Sequence, residues 1–333
     1  MQVLMRHLTA SGAVLLLSFA ATVSVACDAI GKDGKPVSVS TESAIIIWDD
    51  KTHTERFIRS ADFQTKAREI GFLVPTPSIP KLMEANSEEF VQLLQVVESH
   101  RRATEAATAG VVAAKADDSS VVSQQTVGGF EETVLSTAHP QSIDSWLSRH
   151  GFPKTKETTE WLKPYIRKNW FITAYRFKGN GSSADLRPVC MTFHSEMPFY
   201  PYREPASKST QEGGRTLRVF LLSNEGQEAV TNGQPWVATT EWTGMLSDSD
   251  LRILGPVVAN LGLLKTPSLT SFLDDSSPRL GTDEVYFRPL PPPILTSATF
   301  RWSGIFILSF WGLFGLYLVF RRRLTVADNR FAN

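Results

Sequence analysis

Three consecutive residues, His194, Ser195 and Glu196, bring together a base, a hydroxyl and a carboxylate, the side-chain types of nucleophilic hydrolysis. On a strand, neighbours face opposite ways. His194 and Glu196 would then share one face with Ser195 turned from both, so the base cannot reach the hydroxyl it must deprotonate. His7, His53, His100, His139 and His150 make no His-x-x-x-His or His-Glu-x-x-His pair, so the spacing of a helical zinc site is missing. The two cysteines, Cys27 and Cys190, are too few for a cysteine-only zinc site and too far apart for a Cys-x-x-Cys redox pair. Asp49-Asp50 and Asp274-Asp275 lack the alternating oxygen ligands of a calcium loop and read as solvated turns. The run Gly179-Asn180-Gly181-Ser182-Ser183-Ala184 has the loose spacing of a dinucleotide fingerprint. However, Asp185 to Pro188 opens a strand where a helix N-terminus would have to face the pyrophosphate, so a hairpin loop is expected. Neither a phosphate-binding loop nor a Gly-x-Ser-x-Gly elbow occurs. No metal or cofactor is implied, and no reaction is legible.

Aromatic residues offer binding surfaces instead. Tyr200 and Tyr202 flank Pro201 and could form a stacking surface, although a strand end with a proline turn is the plainer reading. Trp236, Ala238, Thr240 and Trp242 would line one face of a strand, giving a carbohydrate or peptide platform if exposed and core if buried. The candidate ligand surface is therefore Tyr200, Pro201, Tyr202, Trp236 and Trp242. Lys plus Arg and Asp plus Glu balance at 34 each, so bulk charge does not favour nucleic acid.

The elements that would position these residues are short and irregularly ordered. Ser43–Trp48 and His53–Ile58 read as a hairpin across Asp49–Thr52, and Phe72–Val74 as a third strand stopped by Pro75, Pro77 and Pro80. Asn86 with Glu89 caps a helix carrying Phe90, Leu93, Leu94 and Val97 at helical spacing. The stretch 104–125 has no aromatic residue and no sustained period, and reads as a linker between two lobes. Beyond it come a strand at 127–136, helices at 142–149 and 158–168, and strands at 170–177 and 186–193 paired across the glycine-rich loop. Strands at 216–222 and 236–242 follow, then a short helix capped by Ser247 and Asp250. This order predicts a sheet-rich, mixed α+β domain rather than a doubly wound one.

Both ends of the chain are hydrophobic. Arg6 and His7, the apolar run 13–23 and the small residues Ser24-Val25-Ala26 read as a signal peptide, 1–26, cleaved before Cys27. Lipidation of Cys27 and an uncleaved spanning helix are the alternatives. Residues 302–320 are uncharged and would span about 28 Å as a helix, close to the ~30 Å of a bilayer's hydrocarbon. Arg321, Arg322 and Arg323 follow as a stop, which places the tail 321–333 inside the cytoplasm and the bulk outside it. Residues 286–301, with Pro289 and Pro291 to Pro293, form a stiff stalk. In that oxidising setting Cys27 and Cys190 are expected to form a disulfide.

Ser43 to Asp49, Phe72 to Pro80, Val127 to Leu135, Trp146-Leu147 with His150-Gly151-Phe152, Trp170 to Ala174 and Leu186-Arg187-Pro188, with Phe193 and Tyr200-Pro201 beyond, resemble an exported bacterial family, domain of unknown function 2330. The resemblance runs over roughly 27–223. It implies an exported, often membrane-tethered protein and supplies no reaction. The expected function is binding or interaction at the bacterial cell envelope, in contact with a membrane and an envelope protein or small ligand. The alternatives are an envelope hydrolase with an unrecognisable site and a structural subunit of a membrane complex.

Overall fold

A computed structural model describes residues 28–108, 130–178, 187–205, 215–255, 257, 267–276, 279 and 281–291. The chain runs β1 (Asp28–Gly31), β2 (Val37–Asp49), β3 (Thr54–Thr65), β4 (Glu69–Thr76), β5 (Lys81–Glu84) and α1 (Glu88–Thr108). Then come β6 (Phe130–Ser136), α2 (Pro140–His150), α3 (Lys156–Arg167), β7 (Phe171–Lys178), β8 (Val189–His194) and β9 (Phe199–Tyr200). The last group is β10 (Thr216–Ser223), β11 (Gln227–Thr231), β12 (Gln234–Pro235), β13 (Thr239–Met245), α4 (Asp248–Leu254), β14 (Ser268–Asp274) and β15 (Val285–Pro289). Among the described residues these form a sheet-rich α+β architecture of three sheets and four α-helices.

The large sheet has seven strands in the order β13-β14-β10-β2-β3-β8-β5. Its centre is β2, antiparallel to β3 and parallel to β10. Ala44, Ile46 and Trp48 bury one face of β2, and Ile45 and Ile47 bury the other. A strand covered on both faces reads as an unbroken hydrophobic run, as Ile45-Ile46-Ile47-Trp48 does. On one side Leu93, Val96 and Val97 of α1, with Leu254 of α4, cover Ile45, Ile47, Ile58 and Phe220. The opposite side meets a second sheet, β1-β4-β7-β6, and a third, β12-β11-β15-β9, around Phe57, Phe72, Tyr175, Phe199 and Phe287. Over the outer face of the second sheet, α2 and α3 pack Trp146, Leu147, Trp161 and Tyr165 on Leu73 and Ile172. Each fully buried aliphatic side chain contributes roughly 1.5–3 kcal/mol.

Several expectations need correction. The 104–125 stretch does not divide two lobes, because β2 pairs with β10, β3 with β8 and β4 with β7. α1 extends into that stretch, to Thr108. Strands β7 and β8 are not a hairpin. β7 joins the second sheet between β4 and β6, whereas β8 joins the large sheet between β3 and β5. Pro75 does not stop pairing, since it lies inside β4 opposite Ile172. Among the described residues no helix is long and apolar enough to cross a membrane. The expected signal 1–26, Cys27, the loop 179–184, the span 302–320 and Arg321 to Arg323 lie outside the described residues, as does the stalk from 292 on, whereas its expected beginning at 286–289 belongs to β15 and pairs with β11.

Candidate functional site

The ends of β2, β8, β10 and β15 meet around an open cleft of about 230 Å³. The β2–β3 turn builds one wall. Asp49 folds back into this turn, its Oδ2 accepting from the Thr52 hydroxyl at 2.6 Å and its Oδ1 from Lys51 N at 3.0 Å. The Thr52 bond above all holds the Asp49 carboxyl below the usual aspartate range. The chain then passes through His53 at φ 51°, a left-handed conformation uncommon outside glycine. Two bonds hold this turn to its neighbours. Ser195 N donates to His53 O at 2.9 Å, and Asn224 Nδ2 donates to Asp50 Oδ1 at 2.6 Å. The His53 ring meets Trp48 edge-on at 5.8 Å and lies 6.0 Å from the His194 ring.

Glu196, Met197 and Pro198 supply the facing wall, and Glu225, Phe287 and Arg288 line the rest. Phe287 N donates to Pro198 O at 2.9 Å, tying that wall to the third sheet. Arg288 Nε is paired with Glu228 Oε1 at 2.6 Å. Behind the wall, Glu55 stands opposite Trp48 on the large sheet, and its Oε2 accepts from Phe199 N at 3.0 Å. Complete burial pushes its carboxyl well above the usual glutamate range, and among the described residues its Oε1 has no hydrogen-bond partner.

The hydroxyls near this cleft are committed to the backbone. Ser195, buried, donates to Met197 O at 2.7 Å, and Ser223 donates to Glu225 O at 2.6 Å. Neither is poised on a base. The strand expected to carry His194, Ser195 and Glu196 ends at His194, so alternation does not set the faces of Ser195 and Glu196; the Ser195 hydroxyl is bonded to Met197 O and Glu196 lines the cleft.

The aromatic residues expected as a ligand surface are placed differently. Tyr200, Pro201, Tyr202 and Trp236 are buried. Trp236 and Trp242 do not share a strand, because β12 ends at Pro235 and β13 begins at Thr239, with a bulge between Thr240 and Trp242. Trp242 is half-buried and stacks on His100 at 4.3 Å, and His100 Nε2 lies 3.1 Å from both Asp250 carboxylate oxygens. Burial alone would raise the Asp250 pKa, but bonds from Ser247 and His100 more than offset it and hold it low.

The tyrosines belong to a polar network inside the core. The Tyr200 hydroxyl donates to Glu42, which also accepts from Arg59 Nε at 2.6 Å. Tyr202 donates to Asp274 Oδ2 at 2.9 Å, and Asp274 pairs with Arg279 at 2.8 Å. Asp274 is therefore part of the core, not a solvated turn. Arg215 pairs with Glu204, and Tyr165 donates to Glu284 at 2.5 Å. Burial of so many charges is tolerable only because each has partners.

Cys190 is a free, fully buried cysteine on β8, facing the α1 side of the large sheet. Burial pushes its thiol upward. The expected bridge to Cys27 is not seen. Asp28, the first described residue, pairs with Leu73 in the second sheet, on the opposite side of the large one. Among the described residues no group of three His, Cys, Asp or Glu side chains could hold a metal.

With this architecture in place, the chain belongs to a family of uncharacterized proteins conserved in bacteria (DUF2330), which it matches over residues 21–251. No curated protein matches its sequence. Among solved structures it is similar to baculovirus P35, at 8% identity and TM-score 0.41, over 76% of this chain and 91% of that one. A mutated baculovirus P35 after caspase cleavage gives 8% identity and TM-score 0.41 over 76% and 98%. The caspase-8/P35 complex gives 8% and 0.35 over 75% and 90%. Likeness at this level carries neither fold nor function across.

Proposed function

We propose that this protein is a binding or interaction protein of the bacterial cell envelope, anchored through 302–320 with its bulk outside the cytoplasm, and that its ligand sits in the cleft between Trp48, His53 and Glu196. The observation that carries the reading is a contrast in commitment. The core pairs Arg59–Glu42, Arg215–Glu204 and Arg279–Asp274 are closed, and the serines beside the cleft are tied to backbone oxygens, whereas His53 and Glu196 make no side-chain hydrogen bond among the described residues. Uncommitted polar groups over an apolar wall suit recognition. A hydroxyl with no base beside it does not suit acyl transfer.

The reading is tested by affinity purification of the full chain from detergent-solubilised membranes, wild type beside His53→Ala/Glu196→Ala, with mass spectrometry of what is retained. A partner or ligand held by the wild type and lost from the variant is expected. Identical sets from both would remove the cleft from the function. For the topology, a reporter active only outside the cytoplasm should be silent when fused after Asn333 and active when inserted near Lys115, and activity of the Asn333 fusion would overturn the placement.

A further inference from the structure

We infer that α3 is a pH-set flap: a proton on Glu284 latches it to the chain ahead of β15, and loss of that proton releases it. Glu284 and α3 are not part of the cleft lining. By itself α3 is a weak helix. It has 12 residues, a length at which isolated helices are marginal, and Pro164 lies inside it with no N–H for the Glu160 carbonyl. Its hold on the protein is therefore tertiary. Trp161, Leu162 and Tyr165 pack against Leu73 and Ile172 of the second sheet, and polar links run from its buried face to other parts of the chain. Trp161 Nε1 donates to Arg203 O at 3.0 Å, and the Tyr165 hydroxyl donates to Glu284 Oε1 at 2.5 Å.

Glu284 is the part of this latch that titrates. It is 1% exposed, and its Oε2 accepts from Arg203 N at 3.3 Å. The core carboxylates Glu42, Glu204 and Asp274 each face a guanidinium, but Glu284 forms no ion pair among the described residues. The groups facing it are the Tyr165 hydroxyl from α3, the half-buried Arg203, the neighbouring Asp283 and Tyr286 of β15. Burial penalises its charged form most, and Asp283 adds repulsion. The bonds from Tyr165 and Arg203 N and the Arg203 charge oppose this without overcoming it, so the pKa is raised to about 7. A released α3 lets water reach the carboxyl, which then titrates near its ordinary 4.5. The closed form thus keeps a proton that the open one gives up. Opening grows about ten-fold per pH unit from 4.5 to about 7 and is constant above. What it uncovers is apolar: Leu73 and Ile172, both fully buried under α3 on the outer face of the second sheet.

The test is hydrogen exchange of the full chain in detergent micelles, read by mass spectrometry in peptides covering α3 and the central strand β2 from about pH 4.5 to 8, each corrected for the chemical exchange rate. Protection of α3 should fall about 300-fold between pH 4.5 and about 7, the two and a half units of the shift, and then level off. It should stay below that of β2 and respond little to dilute urea, as a local opening does. Glu284→Gln, isosteric with the protonated acid, should hold the protection of α3 constant across the range, and protection of its β2 peptide reports that the variant is folded. The wild-type profile is a test without the variant. A flat wild-type profile, or an unchanged fall in Glu284→Gln, would overturn the flap. So would an α3 that exchanges at the level and with the urea dependence of β2, which would leave Glu284 acting on global unfolding alone.

Discussion

Replacing Arg59 by Met should be among the most damaging single changes in the chain. The guanidinium is 2% exposed and donates to a Glu42 carboxylate that is also 2% exposed. It lies 5.3 Å over the ring of Phe72, between the large and second sheets. Methionine keeps most of the volume but leaves the Glu42 carboxyl in a dry interior without its cation, with the Tyr200 hydroxyl still donating to it. Breaking a buried pair from one side costs about 3–5 kcal/mol, a large part of the ~5–15 kcal/mol that holds a domain together. The Tyr200→Phe change removes one bond to a charged acceptor and should cost about 1.5–3 kcal/mol. The double variant Arg59→Met/Glu42→Gln removes the uncompensated charge and should recover part of the loss. The assay is urea unfolding of the full chain in micelles, followed by tryptophan fluorescence, with all four corners of the Arg59–Glu42 cycle. A loss below about 1 kcal/mol for Arg59→Met, or a double variant worse than the sum of the singles, would refute the argument that pairing is what makes these charges tolerable.

Glu284 sets a pH dependence. Burial, more than any neighbour, raises its pKa from 4.5 to about 7, so between those values the folded chain holds a proton that the unfolded chain releases. Its contribution is fully present below about pH 4.5 and is lost as pH rises through 7. Two and a half units at 1.36 kcal/mol each give about 3 kcal/mol of falling stability, which Glu284→Gln should abolish in unfolding curves taken from pH 5 to 8. Parallel curves for wild type and variant would refute it. Cys190, buried and with its thiol pushed upward, should alkylate with iodoacetamide only at the rate of global or local opening, and promptly in denaturant. Rapid native labelling would mean that α1 does not seal this face.

Local signals in the sequence were faithful where the chain satisfies its own backbone. Ser247 and Asp250 form the reciprocal cap that their spacing announces. Asn232 and Gly233, both at positive φ, turn β11 into β12. Gly151 ends α2 at φ 73°. Asn86 does cap α1, although its Oδ1 accepts from Glu88 N rather than from the residue three positions on. What sequence could not carry was the choice of partner. Strands β7 and β8 are adjacent in sequence and alternate as a hairpin would, yet each is buried on both faces and is claimed by a different sheet, a decision made by packing. The same limit hid the site. The β2–β3 hairpin with Trp48 and His53, then Glu196, Asn224 and Arg288, come from separate stretches of chain, and the one local sign was the left-handed backbone at His53, which no residue type reveals. Tyr200, Tyr202 and Trp236 looked like ligand-binding aromatics because an amphipathic ring reads alike over a sugar and over a buried carboxylate.

The parallel pairing of β2 with β10 places a constraint on how the protein is made. Ile45 lies opposite Phe220, which leaves the ribosome 175 residues later. At about 5–20 residues per second the Ile45-Ile46-Ile47-Trp48 strand waits roughly 10–35 s with one edge unpaired. Its β3 hairpin forms early and shields the other edge, but the open one is an invitation to pair with another chain until β10 arrives. A nascent chain of this design depends on being kept apart from its copies, so a truncation ending just before Thr216 should aggregate even though it contains all four strands of the second sheet.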